Sequence, residues 1–201
     1  GKLMKAYYAK QDAEKLSGKG DTSQKLTLMK TSADSLKKSA DALNDSSLWE
    51  KKKIKKKDEK TGEEIEVEDY DWDKITKAVK SFVEDYNDVV KEAGESNTKD
   101  VLRNASWMTG MTDKNSNMLA KIGITIGKGN KLELDEDALK QAAISSLKTV
   151  FTGYNSFVSK ISHKATGISN AANRASATYT NNGTYSKTDS SLTSSKIDKE
   201  V

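Results

Sequence analysis

Apolar residues recur at alternating spacings of three and four in three long stretches of the chain, which is the spacing of amphipathic helices. The first stretch predicts a helix over residues 22–49, with Asp21 or Thr22 as its N-cap. The second predicts a helix over residues 73–93. Such narrow stripes are typical of a coiled coil or a long helical bundle. The striped positions are Leu26, Met29, Ala33, Leu36, Ala40 and Leu43 in the first helix, and Ile75, Val79, Phe82, Tyr86, Val89 and Ala93 in the second.

The third stretch predicts one continuous helix from about residue 136 to at least residue 175. Gly153 and Gly167 lower the stability of this helix without ending it. Asp135 is placed to cap its first turn. Beyond the helix, residues 179–201 are polar and rich in Ser and Thr, which predicts a flexible tail. The apolar stripe consists of Ala143, Leu147, Val150, Tyr154, Phe157, Ile161, Ala165, Ile168 and Ala172.

Two further segments have weaker helical patterns. The pattern of residues 2–16 predicts a helix. Gly18 and Gly20 follow it and are predicted to end it. Residues 97–118 predict one or two helical turns, then a loop and a second short helix. Within this segment Trp107, Met108 and Met111 form a small apolar cluster. The cluster is either core packing beneath the loop or a patch that binds a partner.

In two segments centred on glycine, side chains of different polarity alternate at every second position. Each segment predicts a β-hairpin. In the hairpin at 51–72, lysines on one arm face glutamates on the other, and opposite charges favour cross-strand pairing. Six lysines around Ile54 also suggest a nucleic-acid site, but nine acidic residues between Asp58 and Asp73 neutralise them locally. The second hairpin is predicted at 121–134. The first joins two striped helices, so we expect those helices to be antiparallel.

Composition supports an elongated helical molecule. Of 201 residues, 34% are hydrophobic and 32% are charged, which favours a large surface over a thick core. The absence of proline suits long helices. A net charge of +4 is too small to indicate a nucleic-acid partner by itself. No apolar run approaches the length of a membrane span.

Few residues could carry chemistry. The absence of cysteine excludes disulfides, thiolate metal sites and thiol nucleophiles. The single histidine, His163, lies off the apolar stripe and is predicted to be exposed and inert. The segments GITIGKGNK and DEDALK have neither the spacing of a phosphate-binding loop nor that of a calcium loop. We therefore predict no enzymatic activity, no cofactor, no metal, no small-molecule substrate and no nucleic-acid partner.

Residues 75 to about 172 resemble the flagellar filament-cap family, also called hook-associated protein 2. The resemblance lies in SFVEDYNDVV (81–90) and LAKIGITIGKGNKLELDEDALKQA (119–142). The most specific part is IGI, a glycine turn and L-x-L-D-x-x-x-L. Residues 22–49 look like the partner helix of this family, and the hairpin at 51–72 stands where the family has large outer domains.

Together these patterns predict a mainly α protein, an elongated helical bundle or coiled coil with two small β-hairpins. Residues 1–178 form a single domain and residues 179–201 its tail. The resemblance implies an extracellular structural protein of the bacterial flagellum that assembles by coiled-coil packing with itself or with flagellar axial proteins. The alternative is a soluble helical binding module, adhesin-like or regulatory, that is cytoplasmic or secreted. The residues predicted to carry assembly are Ile161, Ile168 and Ala172 on the last helix, with Trp107, Met108 and Met111.

Overall fold

A computed structural model describes residues 2–5 and 20–197, with side chains as far as Thr178. It confirms a mainly α fold with two small antiparallel hairpins. In chain order the elements are helix α1 (Ser23–Leu43), strands β1 (Lys52–Lys57) and β2 (Glu64–Asp69), helices α2 (Trp72–Gly94), α3 (Lys99–Lys114) and α4 (Ser116–Ala120), strands β3 (Ile124–Ile126) and β4 (Leu132–Leu134), and helices α5 (Glu136–Gln141), α6 (Ile144–Phe151) and α7 (Phe157–Ile197).

The apolar stripes of α1 and α2 are buried at every predicted position. The Thr22 side chain caps α1 by accepting a hydrogen bond from the Lys25 amide at 3.1 Å. The helix ends at Leu43, so the predicted end at residue 49 is wrong. There a short 3₁₀ turn folds back, and Nε1 of Trp49 donates to the Leu43 carbonyl at 2.8 Å. That bond satisfies one of the carbonyls that every helix end leaves open.

Asp21, the other candidate cap, instead ties the start of α1 to the turn after α2. Its carboxylate accepts hydrogen bonds from the Ser96 hydroxyl at 2.8 Å, the Asn97 amide at 2.9 Å and the Thr98 hydroxyl at 2.6 Å. Because the beginning of α1 meets the end of α2, the two helices are antiparallel, as the hairpin between them predicts.

The predicted single helix from residue 136 to 175 is wrong, because the chain breaks twice and forms α5, α6 and α7. At the second break Gly153 has a φ of +100° and donates its N–H to Oδ1 of Asn44 at 2.8 Å. A left-handed residue cannot continue a right-handed helix. Tyr154 therefore leaves the stripe and is 82% exposed, and Ala143 is exposed as well.

The predicted loop within 97–118 is also wrong, because α3 runs unbroken through Gly110 to Lys114. The buried Thr112 hydroxyl donates to the Met108 carbonyl and accepts from the Tyr86 hydroxyl at 2.8 Å. Gly110 is tolerated because packing against the rest of the bundle outweighs its low helix propensity.

Both hairpins have the predicted alternation. β1 pairs with β2 so that lysines lie opposite acids over most of the register, and β3 pairs with β4 so that Ile124 lies opposite Leu134. Asn87 of α2 fastens the second hairpin. Its Oδ1 accepts from the Leu132 amide at 2.7 Å, and its Nδ2 donates to the Leu132 carbonyl at 2.9 Å. The Asn87 side-chain amide thus pairs with the edge of β4 as a third strand of the sheet would.

The helices meet around an aromatic cluster centred on Phe82 of α2. Its ring lies edge-on to Phe151 at 6.5 Å between centroids and to Phe157 at 6.3 Å. Trp49 stacks on the Phe151 ring at 5.5 Å. These rings belong to α2, α6, α7 and the 3₁₀ turn, so they hold the short helices against the long ones.

Residues 2–5 are helical, while the remaining positions of the predicted first helix lie outside the described residues. At the other end, the α7 backbone is helical through Ile197, across the predicted boundary between residues 178 and 179. The division into domain and tail stays a prediction. Over the described ranges, no helix combines the length and the apolar character needed to cross a membrane.

Gly123, the centre of the IGI motif, allows the second hairpin to contact α5. Its φ is +86°, and a Cβ atom there would lie 2.6 Å from the Asp135 carbonyl oxygen and 2.9 Å from the Leu139 nitrogen. Its carbonyl accepts a hydrogen bond from the Asp135 amide at 2.8 Å. Asp135 in turn caps α5, as predicted, by accepting from the Ala138 amide. The glycine of the IGI motif is therefore required because the backbone at this position packs closely against α5.

We expect Gly123→Ala to destabilise the fold more than Gly129→Ala does. Gly129 also has a positive φ, +67°, but nothing lies within 4 Å of its absent Cβ. The left-handed backbone costs each variant about 1–2 kcal/mol, and the clash at Gly123 adds about 1–3 kcal/mol. Urea unfolding followed by circular dichroism measures the free energy of unfolding of each variant. Equal losses would show that the close approach to α5 does not constrain this position.

Candidate assembly surfaces

Two polar clasps, one heptad apart, join α1 to α7. In one, the Ser169 hydroxyl donates to Asp34 at 2.6 Å, and in the other the Ser162 hydroxyl donates to Asp41 at 2.6 Å. Residue numbers rise along α1 as they fall along α7, so the two helices are antiparallel. Each aspartate also accepts from the lysine four residues before it, Lys30 at 2.6 Å and Lys37 at 2.5 Å. We call the pairs Asp34–Ser169 and Asp41–Ser162 the Asp–Ser clasps.

The clasps hold both aspartates in the ionised form. Partial burial is the largest single influence and raises the pKa of each carboxyl. The hydrogen bonds from lysine and serine, with the lysine charges, together outweigh it. The pKa of Asp34 and that of Asp41 therefore lie below the ordinary value of 3.8.

The apolar seam of α7 on either side of the clasps is closed within one chain. Ile161, Ile168 and Ala172 have no exposed surface, and α7 packs along α1 on one side and α3 on the other. Their use as contacts between chains stays a prediction, and it requires α7 to leave α1. Periodicity in the sequence identifies an apolar stripe, but it does not tell which chain covers it.

Trp107, Met108 and Met111 differ in their exposure to solvent. Met108 is fully buried, Met111 is half-buried against the core, and Trp107 is 54% exposed. Neighbouring helical positions point about 100° apart, which separates Trp107 from Met108. The exposed Trp107 ring lies beneath Nζ of Lys164 on α7, 4.4 Å from the ring centroid. We call Trp107 and Lys164 the Trp107 patch.

A second exposed aromatic residue, Tyr154, lies at the break between α6 and α7. Its ring lies edge-on to His163 at 6.5 Å between centroids, and its carbonyl accepts from the Ser159 hydroxyl at 2.6 Å. His163 is exposed, as predicted. Sequence reasoning missed Tyr154 as a surface residue because it placed Tyr154 on the buried stripe.

The first hairpin presents two different faces. One carries Lys53, Lys55 and Lys57 in register with Glu68, Glu66 and Glu64, and the other carries Ile54 opposite Val67. Ile65, on the second face, is 40% exposed. Lys56 also forms an ion pair with Asp69. The predicted pairing of opposite charges is confirmed. The lysines therefore have acidic neighbours on the same ribbon.

A shallow groove of about 350 Å³ runs between α1 and α2 and is lined mostly by small side chains, including Ser35 and Ala78, together with Lys38. Asp85 lies at this groove. Burial raises its pKa above 3.8, the Ser39 side chain opposes that rise, and the charges of Asp88 and Glu84 add to it. The groove holds one carboxyl group and no other charged acceptor. Among the described residues, no group of three or more His, Asp or Glu side chains could hold a metal ion.

Residues 96–200 match the family model for the C-terminus of flagellar hook-associated protein 2. The match covers more than half of the chain, and the chain belongs to this family, whose members are structural proteins of the bacterial flagellum. Comparisons with curated proteins and with solved structures returned no match. The matched segment begins at the turn after α2, so it contains α3 to α7 and both residues of the Trp107 patch. α1, the first hairpin and α2 lie before it.

We expect Asp41→Asn and Asp85→Asn to change stability in opposite directions at pH 7. The folded pKa of Asp41 is lowered, so its ionised form adds stability above the unfolded pKa, and that stability is lost as pH falls through the folded pKa. The folded pKa of Asp85 is raised, so stability is lost as pH rises through that pKa. Removing the first charge therefore destabilises the fold, and removing the second stabilises it.

Urea unfolding at pH 7 and at about pH 2.5, below ordinary carboxyl pKa values, measures both differences. Both differences should shrink at the acidic pH, because a smaller fraction of each wild-type carboxyl is ionised there. Changes of the same sign at pH 7 would contradict the assignment of the two environments.

Proposed function

We propose that this chain is a structural component of the flagellum, of the hook-associated filament-cap type, that works outside the cell through contacts with protein and without catalysis. The observation that carries the proposal is the family match over α3 to α7. These helices supply the exposed Trp107 and the Lys164 above it. The partner is another protein, either a flagellar axial protein or a second copy of the chain.

The closed seam supports a role as a rigid body. α1, α2, α3 and α7 bury their apolar stripes against one another, and the Asp–Ser clasps join α1 to α7 by hydrogen bonds. A bundle closed in this way can present side chains to a partner without refolding. Assembly then depends on residues that remain exposed after folding.

The Trp107 patch is the contact we propose for the axial protein. Tryptophan supplies a large apolar area with few rotatable bonds and is frequent among the residues that dominate binding energies. A lysine over its ring fixes the ring orientation and adds a positive charge beside it. Two helices of the matched segment contribute the pair, so the family sequence and the exposed surface coincide here.

We expect Trp107→Ala to weaken binding to flagellar filaments by about tenfold or more, the usual loss for a central aromatic contact. The chain, gold-labelled through an N-terminal tag, is incubated with sheared filaments from its own organism, and labels at filament ends are counted by electron microscopy. Leu28→Ala is the matched control, because Leu28 is 48% exposed and lies on α1, outside the matched segment.

Wild type and Leu28→Ala should label filament ends equally, and Trp107→Ala should label them less. Circular dichroism should show the same helical content in all three, because both substituted side chains are about half exposed and neither belongs to the buried core. If the wild type labels no filaments, the flagellar role is rejected, and a separate binding module becomes the better account. If all three label equally, the role stands but the Trp107 patch is not the contact.

A further inference from the structure

The first hairpin divides its charge between its strands. β1 reads KKIKKK and β2 reads EIEVED, so five of six residues in one strand are lysine and four of six in the other are acidic. In the register of the hairpin, each residue of the row Lys53, Lys55 and Lys57 faces a glutamate. One long edge of the ribbon is thus basic and the other is acidic.

Both strands have a free edge within the part of the chain that the structure describes. The sheet has two strands, so each strand has a neighbour on one side only. All residues of β1 except Ile54 are exposed, as are all residues of β2 except Val67 and Asp69. A free edge offers a row of backbone donors and acceptors that another strand can pair with.

Charge decides which strand fits each edge. Two β1 edges brought together would place lysine beside lysine, and two β2 edges would place glutamate beside glutamate, which disfavours both pairings. A β1 edge against a β2 edge would place lysine beside glutamate. A second hairpin in the same orientation, set alongside the first, presents its β1 to the free β2. The two strands are then antiparallel and of equal length, six residues each.

We propose that two copies of this chain associate by pairing the free β1 edge of one hairpin with the free β2 edge of the other. The charged face then carries alternating rows of lysine and glutamate across both copies. In the register of the hairpin itself, Ile54 of the second copy lies beside Val67 of the first. The contact is head-to-tail, because each copy uses a different edge and keeps one free for a further copy.

This pairing is independent of the flagellar role. The hairpin lies outside residues 96–200 and uses none of the residues of the Trp107 patch. Filament labelling tests one proposal, and self-association of the purified chain tests the other. Each can fail without the other.

Three charge variants test the edge pairing. The acidic variant carries Lys53→Glu, Lys55→Glu and Lys57→Glu, the basic variant carries Glu64→Lys, Glu66→Lys and Glu68→Lys, and the swapped variant carries all six substitutions. The swapped hairpin keeps every opposite-charge pair within a chain and between identical chains. We measure mass against concentration by light scattering, in low salt and in about 1 M salt, where exposed charges are screened.

We expect the wild type and the swapped variant each to self-associate in low salt and to dissociate in high salt. The acidic and basic variants should each bind themselves at least about tenfold more weakly, because each of the three substituted rows then carries like charges between the copies. Their hairpins also lose internal pairs, so a mixture of wild type and swapped variant is the decisive control. Both hairpins in that mixture are intact, yet lysine meets lysine and glutamate meets glutamate at every mixed edge.

The wild type and the swapped variant should therefore sort into separate oligomers, detected by energy transfer between dyes placed on the two chains. Amide hydrogen exchange should slow in β1 and β2 of the wild type as its concentration rises. A wild type that stays monomeric at every concentration would overturn the proposal. So would mixed oligomers of wild type and swapped chains, since the contact would then not be read by charge at these edges.

Discussion

Each long helix of this protein has an apolar stripe whose exposure to water is unfavourable. The need to bury these stripes is the constraint on which the rest of the fold depends. α1 cannot remain exposed, because six apolar residues lie on one face of it. α2 covers part of that face and α7, from the far end of the sequence, covers the rest. The hairpins, the short helices and the aromatic cluster take positions compatible with that packing. Burial of the stripes drives the assembly of the bundle, while polar contacts determine how it aligns.

The Asp–Ser clasps and the Gly153–Asn44 hydrogen bond supply that alignment. Apolar stripes with a seven-residue repeat remain in contact when one helix slides by a heptad, so they do not define the position along the axis. Sliding α7 by one heptad in one direction would leave Asp41 without a serine partner. Sliding it in the other direction would bring Ser169 to Asp41 and Ser176 to Asp34, but it would break the hydrogen bond from the Gly153 amide to Asn44. The two clasps, with bonds of 2.6 Å, and the Gly153–Asn44 hydrogen bond at 2.8 Å together favour a single register. Polar residues that contribute modestly to stability can specify structure in this way. With α7 fixed, Lys164 lies over Trp107 and forms the exposed patch.

The sequence predicted most of the local structure and little of the surface. Both stripes, both hairpins and the capping of α1 by Thr22 and α5 by Asp135 follow from local periodicity, which the three-dimensional fold preserves. The break at Gly153 does not, because its left-handed backbone is held by Asn44, 109 residues away in the chain. The hook-associated resemblance was also readable from the sequence. Exposure of Trp107 was not, because it depends on how α3 packs against α7.

The most direct test of this account is chemical cross-linking across the seam, in a chain that has no cysteine of its own. Two double variants, Asp41→Cys with Ser162→Cys and Asp34→Cys with Ser162→Cys, are oxidised at low protein concentration, so that only cysteines in contact are linked, by a disulfide. The intramolecular antiparallel seam predicts efficient linking within one chain for the first pair. It predicts little linking for the second pair, which is offset by about 10 Å along the helix. Linked dimers, or equal linking of both pairs, would contradict an antiparallel seam closed within one chain.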